Sequence, residues 1–268
     1  MFKRKESMRK AVKKVFTALI VATAVTVTAT LDTISPVAAQ GFERLLQGAY
    51  QSFAISNLSD EQEVALGKQI NQQLIARGQI RLSGNRRINT LVNRIGQRIA
   101  RTSDRPDIPY TFQVANDKAI NAFATAGGYV YVTTGLLQAT NGSDAQLAGV
   151  IAHEVGHIVG RHALDQMRKA TLAQGITGAL GVDNRLVVNL GVNLLQRSYS
   201  REAEYEADKL GLENLVRAGY PASGLPDFLR KLERGGGTPE FLSTHPSSPS
   251  RVERLEQIIR EENLDRRG

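Results

Sequence analysis

The chain has 268 residues, with 34 Lys and Arg against 26 Asp and Glu, a formal net charge of +8 and no cysteine. The lack of cysteine excludes disulfides, thiol nucleophiles and thiolate-bound metal, so any metal must be held by His and carboxylates. Seven basic residues (Lys3, Arg4, Lys5, Arg9, Lys10, Lys13, Lys14) but only two acidic ones (Glu6, Asp32) fall within residues 1–39, leaving +3 of the +8 for residues 40–268 and no support for a nucleic-acid partner.

The basic run is followed by an uncharged, largely apolar stretch over 15–31, then by the small residues Val37-Ala38-Ala39. That order is a secretory signal cleaved after Ala39. A retained N-terminal anchor is the alternative, since the apolar stretch is close to the shortest that spans a bilayer. Residues 40–58 are weakly patterned and read as a lead-in. Ser59 and Gln62 form a capping box that predicts a helix to about residue 76. Ile88, Leu91, Val92, Ile95 and Ile99 recur at helical spacing over about 85–100, and Pro106 and Pro109 end that region. Three extended runs follow, at 110–114, 119–124 and 129–133. Beyond them the pattern is helical. Ser143-Asp144 opens a helix to about 160, which continues near 162–172, and 173–197 holds two short apolar pieces. Further helices cover about 199–218, 222–234 and 249–262, with Gly235-Gly236-Gly237 as a joint. The fold class is α+β, one mainly helical domain over 59–268 around a small sheet.

Residues 153–157 read His-Glu-Val-Gly-His. On a helix, His153 and His157 lie one turn apart on one face and reach a single ion, while Glu154 is rotated toward a water on that ion. This is the pattern of a catalytic zinc site, one ion per chain, with Glu154 as general base. The surrounding helix, with Leu147, Ala148, Val150, Ile151, Ala152, Val155 and Ile158, is apolar on every side and therefore buried. Three ionisable groups inside it are costly without a partner. A third histidine at the metzincin spacing would fall at 163, which is Ala163, and His162 is one place short. On the helix after Tyr199, Glu202, Glu206, Lys209 and Glu213 form a charged stripe that faces solvent. Glu204 shares its stripe with Asp208, Gly211 and Leu215, so Glu204 is the third ligand candidate and Asp208 an acceptor for a ligand imidazole N–H.

The chain resembles the gluzincin peptidase family that includes HtpX, BepA and the CAAX prenyl proteases. The resemblance rests on Asn121-Ala122-Phe123-Ala124 with Gly127-Gly128, Thr134-Gly135-Leu136, His153–His157 with Arg161-His162, Glu204–Asp208, and Thr244-His245-Pro246 with Arg251. It implies zinc held by His153, His157 and Glu204, with Glu154 as base and Asp208 behind the ligands. It also implies that Tyr129, Val130, Tyr131 and Val132 form an edge strand pairing with extended polypeptide substrate. His245 is placed beside the open zinc position, either donating to the oxyanion with Arg251 adding positive charge, or binding the metal as a fourth ligand. Neither a multi-span membrane region nor a helical-repeat domain is read in these 268 residues, so prenyl-protein processing is not expected; with the signal-like start, the expectation is a periplasmic or otherwise exported endopeptidase for unfolded or damaged proteins. Peripheral membrane association is compatible with it. The alternative is a chaperone-like assembly factor that binds extended segments and rarely cuts, against which the intact Glu154 weighs.

Overall fold

The computed structural model describes residues 55, 57–174, 185–194, 197–235, 239–246 and 249–264. The expected signal segment, nearly all of the lead-in and Gly236-Gly237 of the glycine joint lie outside them. The capping box forms as the sequence predicts, Ser59 and Gln62 each accepting the other's backbone N–H at the start of α1 (Asp60–Ala76). Asn85 caps α2 (Arg86–Ala100). The strands β1 (Thr111–Ala115), β2 (Ala122–Ala124) and β3 (Tyr129–Thr133) follow, then α3 (Thr134–Ala139), α4 (Asp144–Val159), α5 (His162–Gln174) and α6 (Arg185–Leu194). The chain continues with α7 (Arg201–Arg217), α8 (Gly224–Arg234), α9 (Glu240–Thr244) and α10 (Pro249–Glu261). The short helices α3 and α9 are not anticipated from the sequence, because five or six residues carry too little periodicity to register.

The sheet runs β1-β3-β2, with β1 parallel and β2 antiparallel to β3. This corrects the expectation for Tyr129, Val130, Tyr131 and Val132. They lie on the central strand, whose backbone groups are already paired on both sides, so no substrate can add there. The physical reason is burial on both faces. Val130 and Val132 join the core around α4, while Tyr131 joins a second apolar group with Leu66, Ile70, Met167 and Val188. The outer side of β1 is covered by the segment at Arg81–Ser83, which exchanges hydrogen bonds with Val114 and Asn116. The edge strand is therefore β2.

Helix α4 is the axis of the molecule. Ser143 caps it, and every residue from Leu147 to Ile158 is buried. Each Val, Ile or Leu removed from water there contributes about 1.5–3 kcal/mol. Glycines let its neighbours approach to backbone contact. A Cβ on Gly149 would lie 2.3 Å from Leu225 N at the start of α8, and one on Gly156 would lie 2.4 Å from Ala207 O on α7. Two helices are thus seated on α4, and one of them, α7, carries the glutamates.

Candidate metal centre

His153 and His157 leave α4 on one face, with their Nε2 atoms 3.1 Å apart. Ser200 caps α7 and points its inner stripe at them. Glu204 Oε1 lies 3.4 Å from His157 Nε2 and Oε2 lies 3.6 Å from His153 Nε2. The helix-face reading separates the glutamates as expected, with Glu204 and Asp208 buried while Glu202 and Glu206 are exposed. A fourth group arrives from the loop after α9. His245 Nδ1 lies 3.2 Å from His153 Nε2 and 3.1 Å from Glu204 Oε1. One ligand atom from each of His153, His157, Glu204 and His245 falls within 4.8 Å of all the others, and all four residues are buried.

These residues fit a zinc ion on their own chemistry. Imidazole lone pairs and a carboxylate converge at close range in a buried place, an arrangement that is repulsive unless a cation lies between them. Burial pushes the His157 imidazole well below its ordinary pKa, so it is the neutral ligand that zinc requires. Burial also opposes ionisation of Glu204, yet the neighbouring His245 outweighs it and holds that carboxyl well below the usual range.

Glu154 is buried on the same helix, and neither of its carboxylate oxygens has a hydrogen-bond partner among the described residues. Its Oε1 stands 3.4 Å from His245 Nε2. Burial raises its pKa, against the opposing pull of His245 and His153. A buried carboxylate whose oxygens accept no hydrogen bond keeps its lone pairs for the proton of a water at the metal.

Behind the ligands, Asp208 Oδ1 stands 2.9 Å from His153 Nδ1, a carboxylate that favours the proton on Nδ1 and so turns Nε2 toward the ion. Arg251 grips Asp208 through two bonds, Nε to Oδ2 at 2.8 Å and Nη2 to Oδ1 at 2.7 Å. Its Nη1 lies 2.7 Å from Glu204 Oε2 and donates to the carbonyls of His245 and Pro246 at 3.3 Å each. The positive charge expected of Arg251 therefore sits behind the ligands. Its donors are committed to two carboxylates and two carbonyls, and it ties α10 to the ligand helix and the His245 loop. His245 is pinned further by stacking on Phe241 at 4.8 Å and by donating its backbone N–H to Phe241 O at 2.8 Å.

Sequence reasoning did not single out Tyr199 for the site, yet its ring stacks on His157 with centroids 4.0 Å apart. It is an aromatic residue just outside a polar helix, and nothing in its spacing signals the contact. Tyr199, Phe123, Ala124, Thr244 and His245 line one cleft beside edge strand β2.

The chain matches the model of peptidase family M48 over residues 87–259. It is 31% identical to the beta-barrel assembly-enhancing protease of Escherichia coli (strain K12) over 217 residues, 74% of this chain and 44% of that protein. It is 38% identical to the mitochondrial metalloendopeptidase OMA1 of Arabidopsis thaliana over 172 residues, 62% of this chain and 35% of that protein. With the metalloprotease LoiP of Escherichia coli (strain K12) it shares 29% identity over 227 residues, 79% of this chain and 86% of LoiP. The chain thus spans less than half the length of the first two relatives.

Proposed function

The chain belongs to peptidase family M48, and on that premise we propose that it is a zinc-dependent endopeptidase that hydrolyses extended polypeptide segments outside the cytoplasm. The observation that carries the reading is the pairing of a buried donor set, His153, His157 and Glu204, with Glu154 next to it on α4, a buried carboxylate that accepts no hydrogen bond among the described residues. Bound zinc supplies Lewis acidity, lowering the pKa of an attacking water and polarising the scissile carbonyl. Glu154 orients that water, takes its proton on a carboxylate oxygen as the O–C bond forms, and returns the proton to the leaving amine nitrogen as the C–N bond breaks. Asp208 and Arg251 hold the ligand side chains while this happens.

Substrate backbone would add to the outer edge of β2, Ala122–Ala124, whose Phe123 and Ala124 line the cleft beside His245. Export is supported by the basic-then-apolar order of residues 1–39. No helix among the described residues is long and apolar enough to cross a membrane. Purified protein is expected to carry one zinc per chain and to digest casein. Absence of zinc, or full activity in Glu154→Gln at equal zinc content, would sink the reading. N-terminal sequencing of the exported protein is expected to return Gln40, and a sequence starting at Met1 or Phe2 would favour the anchor.

A second reading, an assembly factor that binds extended segments and cuts with restraint, is favoured by one observation. His245 Nδ1 belongs to the donor group, which supports a ring that competes with the attacking water. The two readings differ in basal turnover and share the same binding edge.

A further inference from the structure

The turn after α4 holds a residue in a conformation that L-amino acids rarely adopt. Arg161 has φ 56°, in the left-handed region, which costs on the order of 1 kcal/mol or more for a non-glycine residue. Its side chain is anchored to the Asp60 carboxylate, to Glu63 Oε2 at 3.2 Å and to the Leu58 carbonyl at 3.1 Å. The consequence falls on the next residue. The His162 ring turns back over the end of α4 and rests on Gly160, where a Cβ would lie 2.6 Å from His162 Nε2. Buried there, His162 places Nδ1 2.9 Å from Nδ1 of His157, and its Nε2 lies 3.3 Å from Glu206 Oε2.

One arrangement of protons satisfies these contacts. His157 turns Nε2 toward the donor group, 3.1 Å from His153 Nε2 and 3.4 Å from Glu204 Oε1, so its proton sits on Nδ1. His162 Nδ1 must then accept, and its own proton sits on Nε2, aimed at Glu206. We propose that His162 is a positioning residue, a neutral imidazole whose Nδ1 accepts the His157 Nδ1–H and fixes the tautomer and ring angle with which His157 presents Nε2 to the metal. Tyr199 clamps the flat face of the same His157 ring. The two ligand histidines are therefore held by different chemistry. His153 leans on a carboxylate, Asp208, which needs Arg251 as counter-ion. His157 leans on an uncharged ring, which adds no buried negative charge to the site. The strained Arg161 turn and the bare Gly160 build the place for that ring. The missing residue of the metzincin pattern is thus not idle, because His162, one position short of ligand spacing, reaches the ligand from behind.

The proposal rests on the zinc reading above, and its test separates the two. The full chain, His162→Asn and His162→Leu are titrated with zinc against a chromophoric chelator, with circular dichroism checking that each is folded. Asn offers Oδ1 near the position of Nδ1, whereas Leu offers no acceptor. Loss of an outer partner of a ligand histidine weakens metal binding roughly 10- to 100-fold. His162→Leu is expected to show that loss and His162→Asn to recover most of it. Wild-type affinity in His162→Leu, or equal losses in both folded variants, overturns the proposal and leaves the zinc reading standing. No zinc binding in the wild type overturns both. If His162→Leu does not fold, 15N NMR of histidine-labelled, zinc-loaded wild type decides. The expected tautomers are Nδ1–H at His157 and Nε2–H at His162, and Nδ1–H at His162 overturns the proposal.

Discussion

Gly156 lies against the backbone of Ala207, so close that a Cβ on it would stand 2.4 Å from the Ala207 carbonyl oxygen. Gly211 makes the reciprocal approach, its absent Cβ 2.8 Å from Ala152 O. Gly156 sits between the two ligand histidines and Ala207 between Glu204 and Asp208, so this contact sets how far the carboxylate of α7 stands from the imidazoles of α4. Gly156→Ala gains about 1 kcal/mol of helix propensity but must push the backbones of α4 and α7 apart, and overpacking of this kind costs typically about 1–3 kcal/mol. The variant is expected to lower the thermal midpoint and to weaken zinc binding more than tenfold. Unchanged melting together with unchanged zinc affinity would show that the close crossing does not set the site.

Glu154→Gln keeps all four donor groups and replaces only the base. Zinc content should stay at the wild-type level, while casein turnover falls by roughly two to four orders of magnitude. Metal analysis and a proteolysis assay on the same preparation check both halves.

The three glutamates of α7 provide an internal control. Glu204 is buried among the imidazoles, whereas Glu202 and Glu206 are exposed. Glu204→Ala is expected to lose tight zinc binding, and Glu202→Ala to leave it unchanged. Zinc loss in Glu202→Ala with retention in Glu204→Ala would reverse the assignment of the inner face.

Arg251 is 1% exposed and pairs with both Glu204 and Asp208. Removing one partner of a buried ion pair costs about 3–5 kcal/mol, because the other charge stays behind unpaired. Arg251→Leu should therefore be strongly destabilised. The pH dependence has a definite sign. Burial opposes the ionised form of Asp208, but Arg251 outweighs it and holds the carboxyl below its ordinary value. In the unfolded chain an Asp titrates near about 3.9. Its contribution is thus complete above that pH and is lost as pH falls through the lower folded value. Without Arg251 that advantage disappears, and the acid-unfolding midpoint of the metal-free protein moves to higher pH. Circular dichroism across an acid titration measures the displacement, and an unmoved midpoint would contradict the pairing.

Much of this site was legible in residue spacing, because an α-helix converts spacing directly into direction. His153, Glu154 and His157 follow from one turn of helix, and Glu204 with Asp208 from the contrast between a charged stripe and one containing Gly211 and Leu215. What failed depends on where elements sit relative to one another. Tyr129–Thr133 reads as a strand, but strand order is a tertiary property. A hint was available, since β3 is a largely apolar run of the kind that is buried on both faces, whereas β2 is only three residues long, as edge strands tend to be. His162 was set aside by counting along a regular helix, and the left-handed Arg161 breaks that count. Arg251 lies far along the chain from Asp208, and only the docking of α10 reveals whose charge it balances.

His245 carries the prediction with two opposite signs. An oxyanion donor lowers turnover when removed, and a group filling the water position raises it. The geometry favours the second. Nδ1 is turned into the donor set, 3.2 Å from His153 Nε2, and Nε2 faces Glu154 Oε1 at 3.4 Å, so the ring stands against both the donor set and the base. Burial alone would lower its pKa, but the carboxylates of Glu154 and Glu204 outweigh burial and raise it. The ring is held there by Phe241 and by the Arg251 bond to its carbonyl. If it acts as a plug, a substrate or water has to displace it, and apparent activity is reduced by the fraction of time it stays. His245→Ala, with His153, His157 and Glu204 still in place, is expected to keep its zinc and to digest casein faster, on the order of tenfold if the closed arrangement dominates. Lower turnover at equal zinc content would return His245 to transition-state stabilisation and remove the support for a restrained enzyme.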